Sequence, residues 1–192
     1  MGIAVELMYL KGYGKYLGFS LLRVHGRPRV EDVIREIKGS PEGLTVQLLD
    51  SRAIAGRNHL YHAVRLCLKA FRRGPSISKN LQVELLLYLA ARRQIDDSIK
   101  ILGVNEDTRN IIVLVLGDSR DKIIKYMEGL ASRLGEAAPT QLVGREGVAD
   151  PTYIAQIHGI ESRELESTYP DESSHMDVVE KLILERIALF SL

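Results

Sequence analysis

Residues 111–116 (IIVLVL) form a continuous apolar run, closed by Asn110 on one side and by Gly117-Asp118 on the other. Successive side chains of a strand point to opposite faces, so a run with no polar member fits a strand buried on both faces. A chain built around it needs a sheet with cover, and the flanking sequence supplies amphipathic segments for that cover.

Residues 3–10 and 16–24 are apolar and read as strands, with the glycine turn KGYGK between them, so a hairpin is expected. Val30, Val33, Ile34 and Ile37 recur at helical spacing over 30–38, with Gly39 as the stop. Residues 44–49 read as a short strand ending at Asp50. The clearest helix is 57–73, where Leu60, Val64, Cys67, Leu68 and Phe71 make one apolar stripe and Gly74-Pro75 ends it. Ser78 is a candidate cap for a second helix, 79–92, apolar almost all round. A short helix over 95–102 puts Ile95, Ile99 and Leu102 on one face, with Gly103 closing it. Asp118 or Ser119 caps a helix to about Leu134, 135–147 is a loop stretch, and Pro151–Ile157 is helical up to Gly159. Residues 161–175 read as an acidic, mobile loop and 176–190 as a final amphipathic helix. Strands interleaved with helices indicate an α/β (α+β) fold. The expectation is a single domain over 1–192 with a mixed β-sheet, an N-terminal hairpin and flanking helices.

At 192 residues the chain is long enough to bury a core without disulfides or a structural metal. Its one cysteine, Cys67, excludes an internal disulfide framework and a cysteine-based zinc cluster. No apolar run is long enough to span a membrane, and the N-terminus lacks the charged start of a signal peptide, so a cytoplasmic setting is expected. The net charge of +1 hides an asymmetry: residues 52–100 hold ten basic and three acidic groups, residues 150–192 three basic and nine acidic. The basic middle suits an anionic ligand and the acidic end a different contact or plain solubility; the alternative is that the two segments pair with each other.

Candidate catalytic groups are few. Gly12-Tyr13-Gly14 and Gly18 are followed by a strand, whereas a dinucleotide loop needs a helix there. His59 and His62 lack a supporting cluster for zinc, Cys67 lies on an apolar stripe, and Asp96 and Asp97 point apart on a helix. Glu84 is a carboxylate inside an apolar helix, facing either a core-edge arginine or a groove. No catalytic residues, metal ligands or cofactor emerge, so a non-enzymatic reading leads. An enzyme with a site assembled from distant residues is the rival.

The basic side chains are more informative. Arg65, Lys69, Arg72 and Arg73 line one helix, Lys79 follows the turn, and Arg92 and Arg93 end the next helix. In a helical hairpin Arg72, Arg73 and Lys79 gather at the turn, while Arg92 and Arg93 lie at the other end near Arg57 and His59. Either end suits phosphates, with Tyr61 and His62 available to stack on an unpaired base. The alternative is a solvated helix face.

These blocks carry a family resemblance. Ile54, Gly56, His59 and Leu60 form I-x-G-x-x-H-L, and Ser78, Lys79, Leu81 and Glu84 form S-K-x-L-x-x-E. Arg93-Gln94-Ile95, Leu102-Gly103-Val104, the strand 111–116 and the ending ILERIAL at 183–189 follow in order. Together, over 44–190, the chain resembles the small kinase-associated subunit of the KEOPS complex, the PRPK-binding protein family of CGI type. The resemblance implies a non-enzymatic subunit that binds the complex's small atypical kinase/ATPase. It also implies binding of tRNA through the single-stranded 3′ CCA end, in support of threonylcarbamoyladenosine modification. The expected RNA-binding set is Arg57, His59, Arg65, Lys69, Arg72, Arg73, Lys79, Arg92 and Arg93. A pure scaffold that binds the kinase without RNA is a further alternative. The final helix is apolar over more width than one core stripe needs, and Ile154 and Ile157 add to it. Ile154, Ile157, Leu182, Ile187 and Phe190 are therefore the expected kinase interface, the alternative being that all are core.

Overall fold

The computed structural model describes residues 3–74, 76–145, 147–168 and 174–192. Pro75, read as a helix stop, and residues 169–173 of the acidic segment lie outside the described residues. The chain divides into two compact units, Met1–Ser51 with Gly103–Leu142, and Arg52–Leu102 with Val143–Leu192. No described helix is long and apolar enough to cross a membrane.

The first unit is built on a five-stranded sheet. The hairpin is present as β1 (Glu6–Leu10) and β2 (Lys15–Val24), with Gly14 at φ +65° in the turn. Strand β3 is Leu44–Asp50, β4 is Asn110–Gly117 and β5 is Gly135–Ala138. The order is β1-β2-β4-β3, and β5 lies on the same edge of β2 as β1, pairing with Leu21–Val24 while β1 pairs with Lys15–Phe19. Every one of these pairings is antiparallel, so the expected mixed sheet is corrected. An apolar run buried on both faces is commonest in parallel sheets. Here it is a central antiparallel strand, with Ile111 through Val115 each at 0% exposure.

Two helices of this unit are α1 (Val30–Lys38) and α5 (Arg120–Leu134), the latter capped by Ser119 through Lys122 N. Ile123, Met127 and Leu130 of α5 pack with Val33, Val46, Leu48, Ile111, Val113 and Val115. Gly18 makes room for this helix, since a Cβ there would lie 2.7 Å from Ile123 Cγ2. That assigns the glycine to packing, not to a phosphate loop. Tyr126 donates its hydroxyl to Glu36 O at 2.9 Å, and Arg133 donates twice to the Glu36 carboxylate at 2.8 and 2.7 Å, locking α5 to α1.

The second unit is helical: α2 (Arg57–Arg73), α3 (Leu81–Ala90), α4 (Ile95–Leu102), α6 (Pro151–His158), α7 (Ser162–Thr168) and α8 (His175–Phe190). Helix α2 matches its expected span, because its periodicity is strong and Gly74 at φ +96° takes the left-handed turn that ends it. Helix α3 is shorter than expected. Asn80, not Ser78, is its cap, accepting from Gln82 N and Val83 N, while Ser78 Oγ receives Asn80 N–H one step earlier. Helix α7 replaces part of the expected acidic loop. Arg186 of α8 anchors it by donating to both oxygens of Glu164, at 2.8 and 3.0 Å.

Candidate functional site

The α2–α3 hairpin carries most of the expected RNA-binding residues, and its frame is set by buried polar contacts. His59 Nε2–H donates to Leu89 O at 2.8 Å, joining the start of α2 to the end of α3, so the helices run antiparallel. Ala55 N–H donates to His59 Nδ1 at 3.3 Å, which satisfies both ring nitrogens of the neutral imidazole. His59 is fully buried, and its pKa falls to about 3 because burial opposes the charged form. It is therefore corrected from an RNA contact to a frame residue.

The N-terminus of α2 has no cap of its own and receives one from α8. Glu180 Oε1 accepts from Asn58 N at 3.0 Å and His59 N at 3.2 Å, while Oε2 accepts from Asn58 Nδ2 at 3.2 Å. A carboxylate there satisfies orphan donors and faces the positive end of the helix dipole. Gly56 leaves room for this carboxylate, since a Cβ there would meet Glu180 Oε1 and displace it. The glycine of I-x-G-x-x-H-L thus seats the acid, and the histidine ties the hairpin.

At the opposite end, Glu84 resolves the odd carboxylate of the sequence. It is 0% exposed, and it accepts from Ile77 N at 3.2 Å and Ser78 N at 2.8 Å. It faces neither an arginine nor a groove; it holds the connection between α2 and α3. Cys67 is buried too, and burial followed by the neighbouring Glu84 raises its thiol pKa, the opposite of what a nucleophile needs.

On this frame Arg57, Tyr61, Arg65, Lys69 and Arg72 follow one another at i+4 and i+3 steps on one side of α2, with Arg73 adjacent. Arg57, Arg65, Lys69, Arg72, Arg73 and Lys79 are exposed, and Arg65 lies 5.4 Å from the Tyr61 ring centroid. Lys69, Arg73 and Lys79 form no ion pair among the described residues. Arg72, Arg73 and Lys79 flank the connection at the turn end. The other end differs. Arg93 is exposed over the Phe190 ring at 5.6 Å, whereas Arg92 is half-buried and donates to His158 O at 2.8 Å and Ala91 O at 3.2 Å. Part of the Arg92 guanidinium thus serves backbone carbonyls of its own unit.

The expected apolar interface divides as well. Ile154 and Ile187 are fully buried and Leu182 is 6% exposed, so these three belong to the core and are corrected. Ile157 and Phe190 are half-buried, and Phe190 packs edge-on against Tyr88 at 4.8 Å. The exposed large apolar side chains nearby in sequence are Tyr153, Leu189 and Leu192. Three residues with no local signal complete the frame. Glu180 is the remote cap. His158 donates from Nε2 to Ala53 O at 2.9 Å, and Arg186 donates to His158 O at 3.2 Å and Gly159 O at 2.9 Å.

Comparison with known proteins agrees with the sequence blocks. A family model described as kinase binding protein CGI-121 matches residues 30–191, beginning earlier than the blocks do. Two curated proteins, each described as an EKC/KEOPS complex subunit CGI121, come from two strains of Cryptococcus neoformans var. neoformans serotype D. Each is 32% identical over 83 residues, which is 43% of this chain and 34% of the relative. The match thus spans about a third of the length of those relatives. With the family pattern running from α1 through β3, β4 and β5, the α2–α3 helices and α8, the chain belongs to the CGI-121 kinase-binding protein family.

Proposed function

We propose that this chain is a non-catalytic subunit of a KEOPS-type complex. It binds the complex's small atypical kinase/ATPase and recruits tRNA by its single-stranded 3′ CCA end, in support of threonylcarbamoyladenosine modification. It acts as one domain, in the cytoplasm, and needs no cofactor. The kinase half of this reading is supported by the family description, and membership of the complex by the names of the two relatives. The RNA half is carried by one observation: exposed Arg65, Lys69, Arg72, Arg73 and Lys79 on a hairpin whose polar interior is satisfied by its own frame. Long cations on a fixed support suit phosphates, and the Arg65–Tyr61 pair offers a flat cationic surface to a base.

Purified chain tested for a gel shift with intact tRNA and with tRNA lacking CCA, alongside co-purification with the kinase, separates the readings. Tighter binding of intact tRNA supports recruitment by the 3′ end. Kinase binding without any RNA shift leaves a pure scaffold. Failure of both, with turnover of a small molecule by the chain alone, would establish the enzyme reading instead.

A further inference from the structure

The connection between α2 and α3 is fixed at successive points. Gly74 N donates to Ala70 O at 3.0 Å as the helix ends. Ile77 N and Ser78 N both donate to Glu84, and Asn80 N donates to Ser78 Oγ at 3.1 Å. Asn80 then caps α3. The side chains this backbone carries point the other way: Ile77 is 45% exposed and Lys79 is exposed.

A carboxyl group in an apolar helix is costly to bury and is retained where its hydrogen bonds are needed. The apolar neighbours of Glu84 in α3, Leu85, Leu87 and Leu89, show that a hydrophobic residue would suit the helix itself. What a hydrophobic residue would not supply is an acceptor for two adjacent N–H groups. Left to itself, a connection between helices is a low-stability segment, and ordering it on contact with a ligand costs affinity.

We propose that Glu84 is a positioning residue for RNA. By holding the Ile77–Ser78 backbone from inside, it presents Lys79 in register with Arg72 and Arg73 as one cationic rim for the phosphates of a single strand. This rests on the RNA reading above and extends it from the surface to its support. Glutamine at 84 keeps the shape but offers one carbonyl oxygen, and turns its NH2 towards the second N–H.

The experiment is a binding cycle with full-length chain and tRNA, using wild type, Glu84→Gln, Lys79→Ala and the double variant. Glu84→Gln is expected to weaken tRNA binding roughly tenfold and to shed about half of that loss when replaced by Glu84→Asp. Lys79→Ala should lower the salt slope by about 0.7, one single-strand phosphate contact, and Glu84→Gln should lower it equally. In the double variant the losses should not add, since Glu84 acts through Lys79. Amide exchange at Ile77 and Ser78 reads the tether with no RNA present and should rise in Glu84→Gln. If Glu84→Gln does not fold, Glu84→Asp carries the same comparison. Full additivity, or wild-type affinity with accelerated exchange, overturns the positioning role and leaves the RNA reading standing. Wild type that binds no tRNA removes that reading and the positioning role with it, and unchanged exchange removes the tether.

Discussion

The rings of His59 and His158 meet edge to face with centroids 5.5 Å apart, both buried, one from α2 and one from α6. Each donates a ring N–H to a backbone carbonyl, His59 to Leu89 and His158 to Ala53. The pair joins three parts of the second unit while both rings are neutral. Burial lowers the pKa of His59 to about 3, with His158 as the next cause. Burial lowers that of His158 to about 4, with Arg92 and Arg186 also opposing its charge.

Stability is expected to fall on acidification from pH 6.5. Above that value folded and unfolded chains both hold neutral imidazoles, and the contribution is complete. Below it the unfolded chain takes up protons that the folded one refuses, until about pH 4 for His158 and about pH 3 for His59. The slope approaches about 1.4 kcal/mol per pH unit for each ring. Urea midpoints between pH 7.5 and 5, where carboxylates largely keep their charge, measure it. His158→Gln should halve the slope, and a flat profile in wild type would refute the assignment.

Removing the remote cap should cost stability without touching the hairpin's outer face. Glu180→Ala is expected to destabilise by about 1–2 kcal/mol. Gly56→Ala should also destabilise, since its Cβ meets the same carboxylate. Combined, the two should cost less than their sum, because the clash disappears with the acid. Chemical denaturation of the four proteins measures the coupling, and strict additivity would contradict it.

Ala91 ends α3 at φ +50°, the positive-φ position held by a residue other than glycine among the described residues. A left-handed conformation costs an L-residue about 1–2 kcal/mol, against which glycine's extra unfolded freedom must be set. Ala91→Gly should therefore stabilise by up to about 1 kcal/mol, read as a raised thermal midpoint.

Charge reversal at the turn end should act on RNA alone. Arg72→Glu with Arg73→Glu is expected to weaken tRNA binding at least tenfold and to flatten its salt dependence by about 1.4 if both contact a single strand. Co-purification with the kinase should be unchanged. Unaltered RNA affinity would move the site towards Arg57 and Arg93.

The apolar candidates sort by exposure. Leu189→Glu, at a residue 68% exposed, should leave the unfolding free energy within about 0.5 kcal/mol of wild type and abolish kinase binding if this end of α8 docks there. Ile154→Glu, at a fully buried site, should unfold the chain. Normal kinase binding by Leu189→Glu would place the interface elsewhere.

Elements with strong periodicity were legible in the sequence: α2 by its stripe, β4 by its unbroken apolar run, and the hairpin by its glycine turn. Strand β5 was not, because Gly135, Glu136 and two alanines have little strand preference and are held by pairing with distant β2. The cationic side of α2 could be read because helical spacing alone determines it. The roles of His59, Arg92 and Ile154 could not, since burial depends on partners such as Leu89 and His158 that lie far along the chain. Excess apolar width on α8 suggested a docking face, yet a helix that touches α2, α3, α6 and α7 needs that width for its own unit.

The placement of β4 between β2 and β3 has a consequence for biogenesis. Both partners are translated well before it, with the whole α2–α4 segment emerging in between. At roughly 5–20 residues per second, β2 and β3 wait several seconds on the ribosome for the strand that joins them. Until then β2 has only β1 as a partner and β3 has none among the described strands, which leaves apolar edges open to other nascent chains. These edges close only once residue 117 has cleared the exit tunnel.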